Sequence, residues 1–452
     1  MTLTDKVLGK AGAGTDAGAP PPPAPPSQFA VPGNTRGQIL RLLLALVVIT
    51  AIFVGFGLGD LLLFIVILVV IVMLHEAAHF VTAKLSGMKV TEFFVGFGPR
   101  LWSVRRGETE YGVKALPLGG YVRITGFTVL DDVAEEDESR TYRQAPFWKR
   151  IIVGSAGSAM HFLIALVLAL IVAFSFGSPG NNESVMSLDH WDGVVTTPAQ
   201  AAGLKAGDTI VSVDGKALGS VNALHDTIER SVDKPLTLGV ERDGQLLHIT
   251  VTPTNGDGIK VTQDGVTELL APKSASKPEG FIGVGLEQAN SSLGAGSAVV
   301  NALDTIRSDT AGEILGIGKL FSASGLGSFY HQVTNSNVAA QAAKNPSTDV
   351  RPVSLVGIAS LGVQSEQQGL QSLFGLLILI NIIFGLLNML PMLPLDGGHV
   401  AVAVYEWIRT KKGRPFYRAD ITKLFPVVAV FLAFLSVFVI AALYLDVTHP
   451  LT

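Results

Sequence analysis

The sequence predicts a polytopic α-helical membrane protein with four to five transmembrane helices, a membrane-associated β-hairpin and an inserted α+β domain. Three observations carry that class. Of 452 residues, 48% are hydrophobic and only 15% charged. The apolar residues gather into runs near the ~20 needed to cross ~30 Å of hydrocarbon. A long polar stretch, residues 177–371, separates the third span from the fourth. The formal charge of -4 gives no reason to expect nucleic acid. With no Cys, disulfides and thiolate metal sites are excluded, so any metal must rely on His, Asp and Glu.

Residues 1–37 are rich in Ala, Pro and Gly, including A-P-P-P-P-A-P-P at residues 19–26. Such a stretch lacks the apolar surface to offset chain entropy and reads as a disordered tail. Residues 38–176 hold the first three spans, near 40–58, 60–85 and 151–176, with a cytoplasmic hairpin loop between the second and third. Little more than Gly57, Gly59 and Asp60 separates the first two, which suits a tight helical hairpin. The first span is the least distinct. Residues 177–290 read as an extracytoplasmic domain and 291–371 as an extracytoplasmic or interfacial connection. Within that connection, residues 301–320 fit an amphipathic helix that Gly316 and Gly318 weaken. Residues 372–452 return to the membrane with spans near 372–395 and 424–444.

Lys and Arg set the orientation. Arg409, Lys411, Lys412, Arg414, Arg418 and Lys423 crowd the last short loop, and Arg100, Arg105, Arg106, Lys149 and Arg150 lie near the ends of the first. By the positive-inside rule both loops are cytoplasmic, and the polar domain is on the other side.

The chemistry centres on L-H-E-A-A-H-F at residues 74–80, which closes the apolar run 61–74. Four residues apart on a helix, His75 and His79 share a face and can hold one zinc ion. Glu76 stands beside them as a general base. Ionisable groups in a membrane helix cost about 2.5–3.5 kcal/mol each, so this cluster implies a function or a partner. A third ligand must come from elsewhere at the same depth. Asp396 qualifies, in N-M-L-P-M-L-P-L-D-G-G-H at residues 388–399. Pro391 and Pro394 should break the fourth span there, and the glycines should give Asp396 a flexible turn. Two His and one carboxylate leave the fourth position open for water, as catalytic zinc sites require. His161 and His399 are rival ligands, each otherwise a hydrogen-bonded intramembrane or interfacial histidine. Asp396 could also simply cap the helix that follows it.

These pieces together resemble the site-2 protease family of intramembrane zinc metalloproteases, in its bacterial branch with an extracytoplasmic PDZ insert. The actinobacterial members are the most similar. The resemblance rests on H-E-A-A-H at His75, F-G-P at Phe97, P-L-G-G-Y-V at Pro117 and N-x-x-P-x-x-P-L-D-G-G at Asn388. It also rests on T-P-A-Q-A-A-G-L-K-A-G-D-T-I-V-S-V-D-G at residues 197–215, which is similar to part of a PDZ domain. The family implies His75, His79 and Asp396 as zinc ligands, Glu76 as base and Asn388 as a contact to substrate backbone. It implies that residues 111–123 form a hairpin dipping toward the site. Read locally, that segment is two short strands about the Gly119–Gly120 turn, whose edge can pair with an unwound substrate. In the insert, strand-like residues 236–242 and 246–252 flank a turn at Asp243 and Gly244, and residues 280–286 fit a closing strand. One departure stands out. Where relatives read G-P-x-x-N, this chain has Gly157, Ser158 and then His161.

The expected activity is hydrolysis of peptide bonds within single-span membrane proteins after a first extracytoplasmic cut. Anti-sigma factors and remnant signal peptides are the classes that the resemblance implies. The insert would bind peptide ends, and the protein would be a multi-pass component of the bacterial cell membrane. Two alternatives stay open: a membrane-embedded zinc protease acting at the cytoplasmic surface, and a non-catalytic PDZ scaffold. Intact Glu76 argues against the scaffold.

Overall fold

The computed structural model describes residues 35–128, 131, 133–188, 196–218, 223–256, 260–263, 266–269, 279–344, 351–410 and 417–450. The tail expected at residues 1–37 lies outside them, except where its end already belongs to helix α1, Thr35–Gly55. A short turn with Gly57 at φ 71° leads into α2, Gly59–Leu85, so the expected helical hairpin forms. Next come two long strands, β1 Val90–Arg106 and β2 Thr109–Ile124, and then α3, Phe147–Ser175.

The β1–β2 sheet differs from the expected hairpin. Glu92 to Val95 lie opposite Arg123 to Gly120 and also opposite Glu110 to Val113, while Trp102 to Arg106 lie opposite Val113 to Thr109. The two arms of residues 111–123 therefore flank the start of β1 instead of pairing with each other. Strand period and turn residues show that strands exist, but not which earlier segment slots between them.

The inserted region holds β3 Ser178–Leu188, α4 Pro198–Ala202, β4 Thr209–Val213, β5 Lys216–Ala217 and α5 Ala223–Glu229. It continues through β6 Leu236–Arg242, β7 Gln245–Val251, β8 Thr254–Asn255, β9 Lys260–Gln263, β10 Val266–Leu269, β11 Gly280–Phe281 and β12 Val284–Ser291. Its main sheet runs β12-β3-β4-β6-β7, with β5 paired to β4. The β6–β7 turn has positive φ at both Asp243 and Gly244, as a tight hairpin needs. The closing strand expected at 280–286 is split into β11 and a longer β12. Val185, Ile210, Leu238, Val240 and Val251 form this region's own buried core with Leu224 and Ile228 of α5.

Seven helices follow among the described residues: α6 Ala295–Leu320, α7 Ala323–Thr334, α8 Ser336–Lys344, α9 Leu355–Gln367, α10 Leu370–Asn388, α11 Asp396–Arg409 and α12 Phe425–Thr448. The helix expected at 301–320 is present in α6, whose Gly316 and Gly318 do not interrupt it. Among the described residues five helices are long and apolar enough to cross a membrane: α1, α2, α3, α10 and α12, the last with the short turn before it.

Helix α3 is the hub. Its Ala165, Ala169 and Ala173 form a small-residue stripe that packs with Ala298 and Ala302 of α6 and Ile378 and Ile382 of α10. On another side of α10, Leu373, Leu377 and Ile380 meet Phe64 and Ile71 of α2. Two buried ion pairs tie the ends together. Arg150 at the start of α3 donates to Glu406 of α11 at 2.5 Å. Arg351 donates to Asp446 of α12 at 3.0 Å, and the Ser354 N–H donates to the same carboxylate at 2.6 Å. Left unpaired in such surroundings, a charge costs several kcal/mol.

Candidate metal centre

Helix α2 runs unbroken through the H-E-A-A-H motif, so His75 and His79 project from one face, and both are buried. The third donor arrives by a different route. Helix α10 stops at Asn388, ahead of Pro391 and Pro394, and tight turns lead into α11, whose first residue is Asp396. Gly397 and Gly398 were expected to supply flexibility. They lie in the first turn of α11 instead, where a Cβ on either would run into the backbone of Met389 or of Met392 and Leu393. Their role is close approach, not freedom. Asp396 caps nothing, since α11 begins without a side-chain cap.

The Asp396 carboxylate instead reaches both imidazoles. Its Oδ2 lies 3.1 Å from His79 Nε2 and 3.5 Å from His75 Nε2. The His79 Nδ1–H donates to the Val153 carbonyl at 2.7 Å, which leaves Nε2 with a lone pair facing a carboxylate oxygen. Two acceptors facing each other need a proton or a cation between them. Around a tetrahedral zinc with ligands at about 2.0–2.1 Å, ligand atoms stand about 3.3 Å apart. The observed 3.1 and 3.5 Å bracket that separation, and ligand atoms of all three residues lie within 4.8 Å of one another. The residues fit a zinc ion.

Gly157 of α3 makes room for them. A Cβ there would overlap the rings of both His75 and His79, so only glycine lets α3 approach this closely. Glu76 is held by the sheet: the Val122 N–H of β2 donates to its Oε2 at 3.0 Å. Gly119, at φ 125°, and Gly120 lie beside α2, where a Cβ on Gly120 would strike Met73. Asn388 is half-buried at the last turn of α10.

The rival ligands stand outside the donor cluster. The ring of His161 lies 4.9 Å from that of His75 between centroids, and its Nδ1–H donates to Asn381 Oδ1 at 2.9 Å. His399 packs its ring on Phe127 at 4.0 Å. Sequence reasoning missed Asn381 and Val153. A lone Asn in the apolar run L-I-N-I-I was a usable sign. A backbone carbonyl such as that of Val153 leaves none.

The profile of Peptidase family M50 matches residues 63–435, a span that contains all three donors and Glu76. The chain belongs to the M50, or site-2 protease, family. It is 31% identical to the zinc metalloprotease Rip1 of Mycolicibacterium smegmatis over 424 residues, covering 88% of this chain and 99% of that protein. Against the zinc metalloprotease Rip1 of Mycobacterium tuberculosis it is 31% identical over 411 residues, covering 86% of this chain and 97% of the relative. This M50 chain is therefore a zinc metalloprotease and a multi-pass membrane protein, in keeping with the five long apolar helices among its described residues. The matched span starts within α2, leaving α1 outside it.

Proposed function

We propose that this site-2 protease hydrolyses peptide bonds inside the membrane, in single-span substrates already trimmed by an earlier cut. The observation that carries the reading is the convergence of Asp396 with His75 and His79 beside Glu76, the last three carried by α2, a helix long and apolar enough to cross a membrane. His75, His79 and Asp396 would hold the zinc, and the Val153 carbonyl fixes the ligating tautomer of His79. A zinc ion held there would supply Lewis acidity for the scissile carbonyl and for a water, whose pKa it would lower toward about 7. Glu76 takes the water's proton and returns it to the leaving amine.

A helical substrate hides its peptide bonds, so it must unwind first. The Gly120–Ile124 part of β2 suits that task, because its Val122 N–H already faces Glu76. An extended peptide aligned there by strand addition, with Asn388 contacting its backbone, would lie along the base. Gly120 lets β2 lie close against Met73 of α2, which brings this strand to the base. Residues 177–290, with the β12-β3-β4-β6-β7 sheet, serve as a PDZ-like module that binds new peptide ends and admits trimmed substrates. Residues 291–371 connect it to the membrane. Anti-sigma factors and remnant signal peptides fit the substrate class.

The test uses the full chain purified in detergent with a single-span model substrate. Wild type should bind about one zinc per chain and cut within the span. Glu76→Gln should keep the zinc and lose at least about a thousandfold in rate, within the range of losing an essential acid–base group. Normal cutting by Glu76→Gln would overturn the mechanism, and cleavage of soluble proteins alone would overturn the substrate class.

A further inference from the structure

Of the two imidazoles at the metal centre, only His79 is anchored from behind. Its Nδ1–H donates to the Val153 carbonyl at 2.7 Å, whereas His75 Nδ1 is buried with no hydrogen-bond partner. His75 Nε2 is turned to Asp396 at 3.5 Å, so with that nitrogen given to a metal the proton of the ring sits on Nδ1. A buried N–H without an acceptor is costly, and metal-ligating histidines almost always donate their second nitrogen to a partner.

An acceptor in the same condition lies beside it. His161 of α3 is 2% exposed, and its ring stands 4.9 Å from that of His75 between centroids, tilted by 43°. Its tautomer is fixed from the far side. Asn381 of α10 donates through Nδ2 to the Leu377 carbonyl at 2.8 Å, so its amide oxygen faces His161. His161 Nδ1 must then be the donor across the 2.9 Å between them. That leaves His161 Nε2 with a lone pair and, among the described residues, no hydrogen-bond partner.

One unmet donor and one unmet acceptor thus occupy neighbouring rings. Imidazoles joined by an N–H···N bond of about 2.9–3.0 Å stand about 5 Å apart between centres. At 4.9 Å, closing that bond needs rotation of a ring and no approach of the helices. The Gly157 carbonyl also lies near His75, but within α3 it takes the His161 N–H, and His75 Nδ1 makes no hydrogen bond to it.

We infer that His161 is the positioning residue for His75: with zinc bound, its Nε2 accepts the His75 Nδ1–H, as the Val153 carbonyl does for His79. Asn381 holds the tautomer that keeps Nε2 free to accept. His161 acts through His75 and gives the metal no ligand. The inference rests on the zinc reading of His75, His79 and Asp396.

The experiment uses the full-length protein in detergent. Zinc affinity is read by competition against a chelating dye, and the melting temperature is read on the zinc-free form. His161→Phe keeps an aromatic ring against His75 and removes the acceptor. It should bind zinc about 10–100-fold more weakly, the usual effect of losing the partner behind a ligand, and melt near wild type when zinc-free. His161→Gln offers an amide oxygen in place of Nε2 and should recover most of that loss. Asn381→Leu should weaken zinc binding by itself and add nothing to His161→Phe, because it acts only through that imidazole. Wild-type affinity in His161→Phe would overturn the inference and assign the donor to the Gly157 carbonyl. Equal losses in His161→Phe and His161→Gln would also overturn it, since ring packing alone would then hold His75. Should His161→Phe fail to fold, Asn381→Leu decides, and unchanged zinc affinity there sinks the inference. A wild type that binds no zinc would instead sink the reading of the centre itself, and this inference with it.

Discussion

At the residue scale, His79 joins three segments: α2 carries it, the Val153 carbonyl of α3 orients it, and Asp396 of α11 meets its other nitrogen. Gly157 makes that meeting possible, so Gly157→Ala should lower zinc occupancy markedly in a folded protein. Metal analysis of the purified variant checks this. Ser158, next along α3, is a control. Its hydroxyl is buried without a partner, so Ser158→Ala should leave zinc content unchanged and shift stability by less than about 1 kcal/mol. Outside the membrane helices, Glu108 takes hydrogen bonds from Arg140 and Lys84, which hold its carboxyl down at about 2. A depressed acid contributes stability above its unfolded pKa of about 4.3 and loses it as pH falls toward 2. The melting temperatures of wild type and Glu108→Gln should therefore converge between about pH 4.5 and 2. The convergence of the three donors was legible because each part had a local sign: four-residue spacing for the histidines, and prolines ahead of Asp396. What made the centre fit was not, since Val153 contributes only backbone and Gly157 only an absence of atoms.

Among elements, spans were easier to read than sheets. Run length sets where α2, α3 and α12 lie within a few residues, but α10 ends at Asn388, short of the expected 395, because the prolines act before the apolar run ends. The hairpin at β6–β7 was legible from Asp243 and Gly244, because the turn pairs neighbours in sequence. The β1–β2 sheet was not. Its middle segment pairs on both edges, and nothing local in residues 111–123 says that an earlier stretch will separate the two arms. Helix ends tied by buried charges give a prediction at this scale. Asp446 on α12 accepts from Arg351 and from the Ser354 N–H, with its side chain 2% exposed. Asp446→Ala should strand Arg351 and cost about 3–5 kcal/mol, read as a lowered denaturation midpoint in detergent.

For the whole molecule, the His79–Asp396 contact joins residues 317 positions apart, in the amino-terminal and carboxyl-terminal membrane segments, and a zinc ion held there would close it. Removing zinc with a chelator should lower the melting temperature and speed proteolysis of the α10–α11 turns. Both effects should be as large in Glu76→Gln as in wild type, because Glu76 gives no ligand. The inserted region relates differently to the rest. Its first and last strands meet where it leaves α3 and returns to α6, with Ser178 opposite Ser291 and Pro179 opposite Asn290. Such an excursion uses one doorway, so whatever hangs beyond it is a cassette in the evolutionary sense. Lineages could enlarge, trim or exchange it to suit new quarry while the reaction chamber below stayed as inherited.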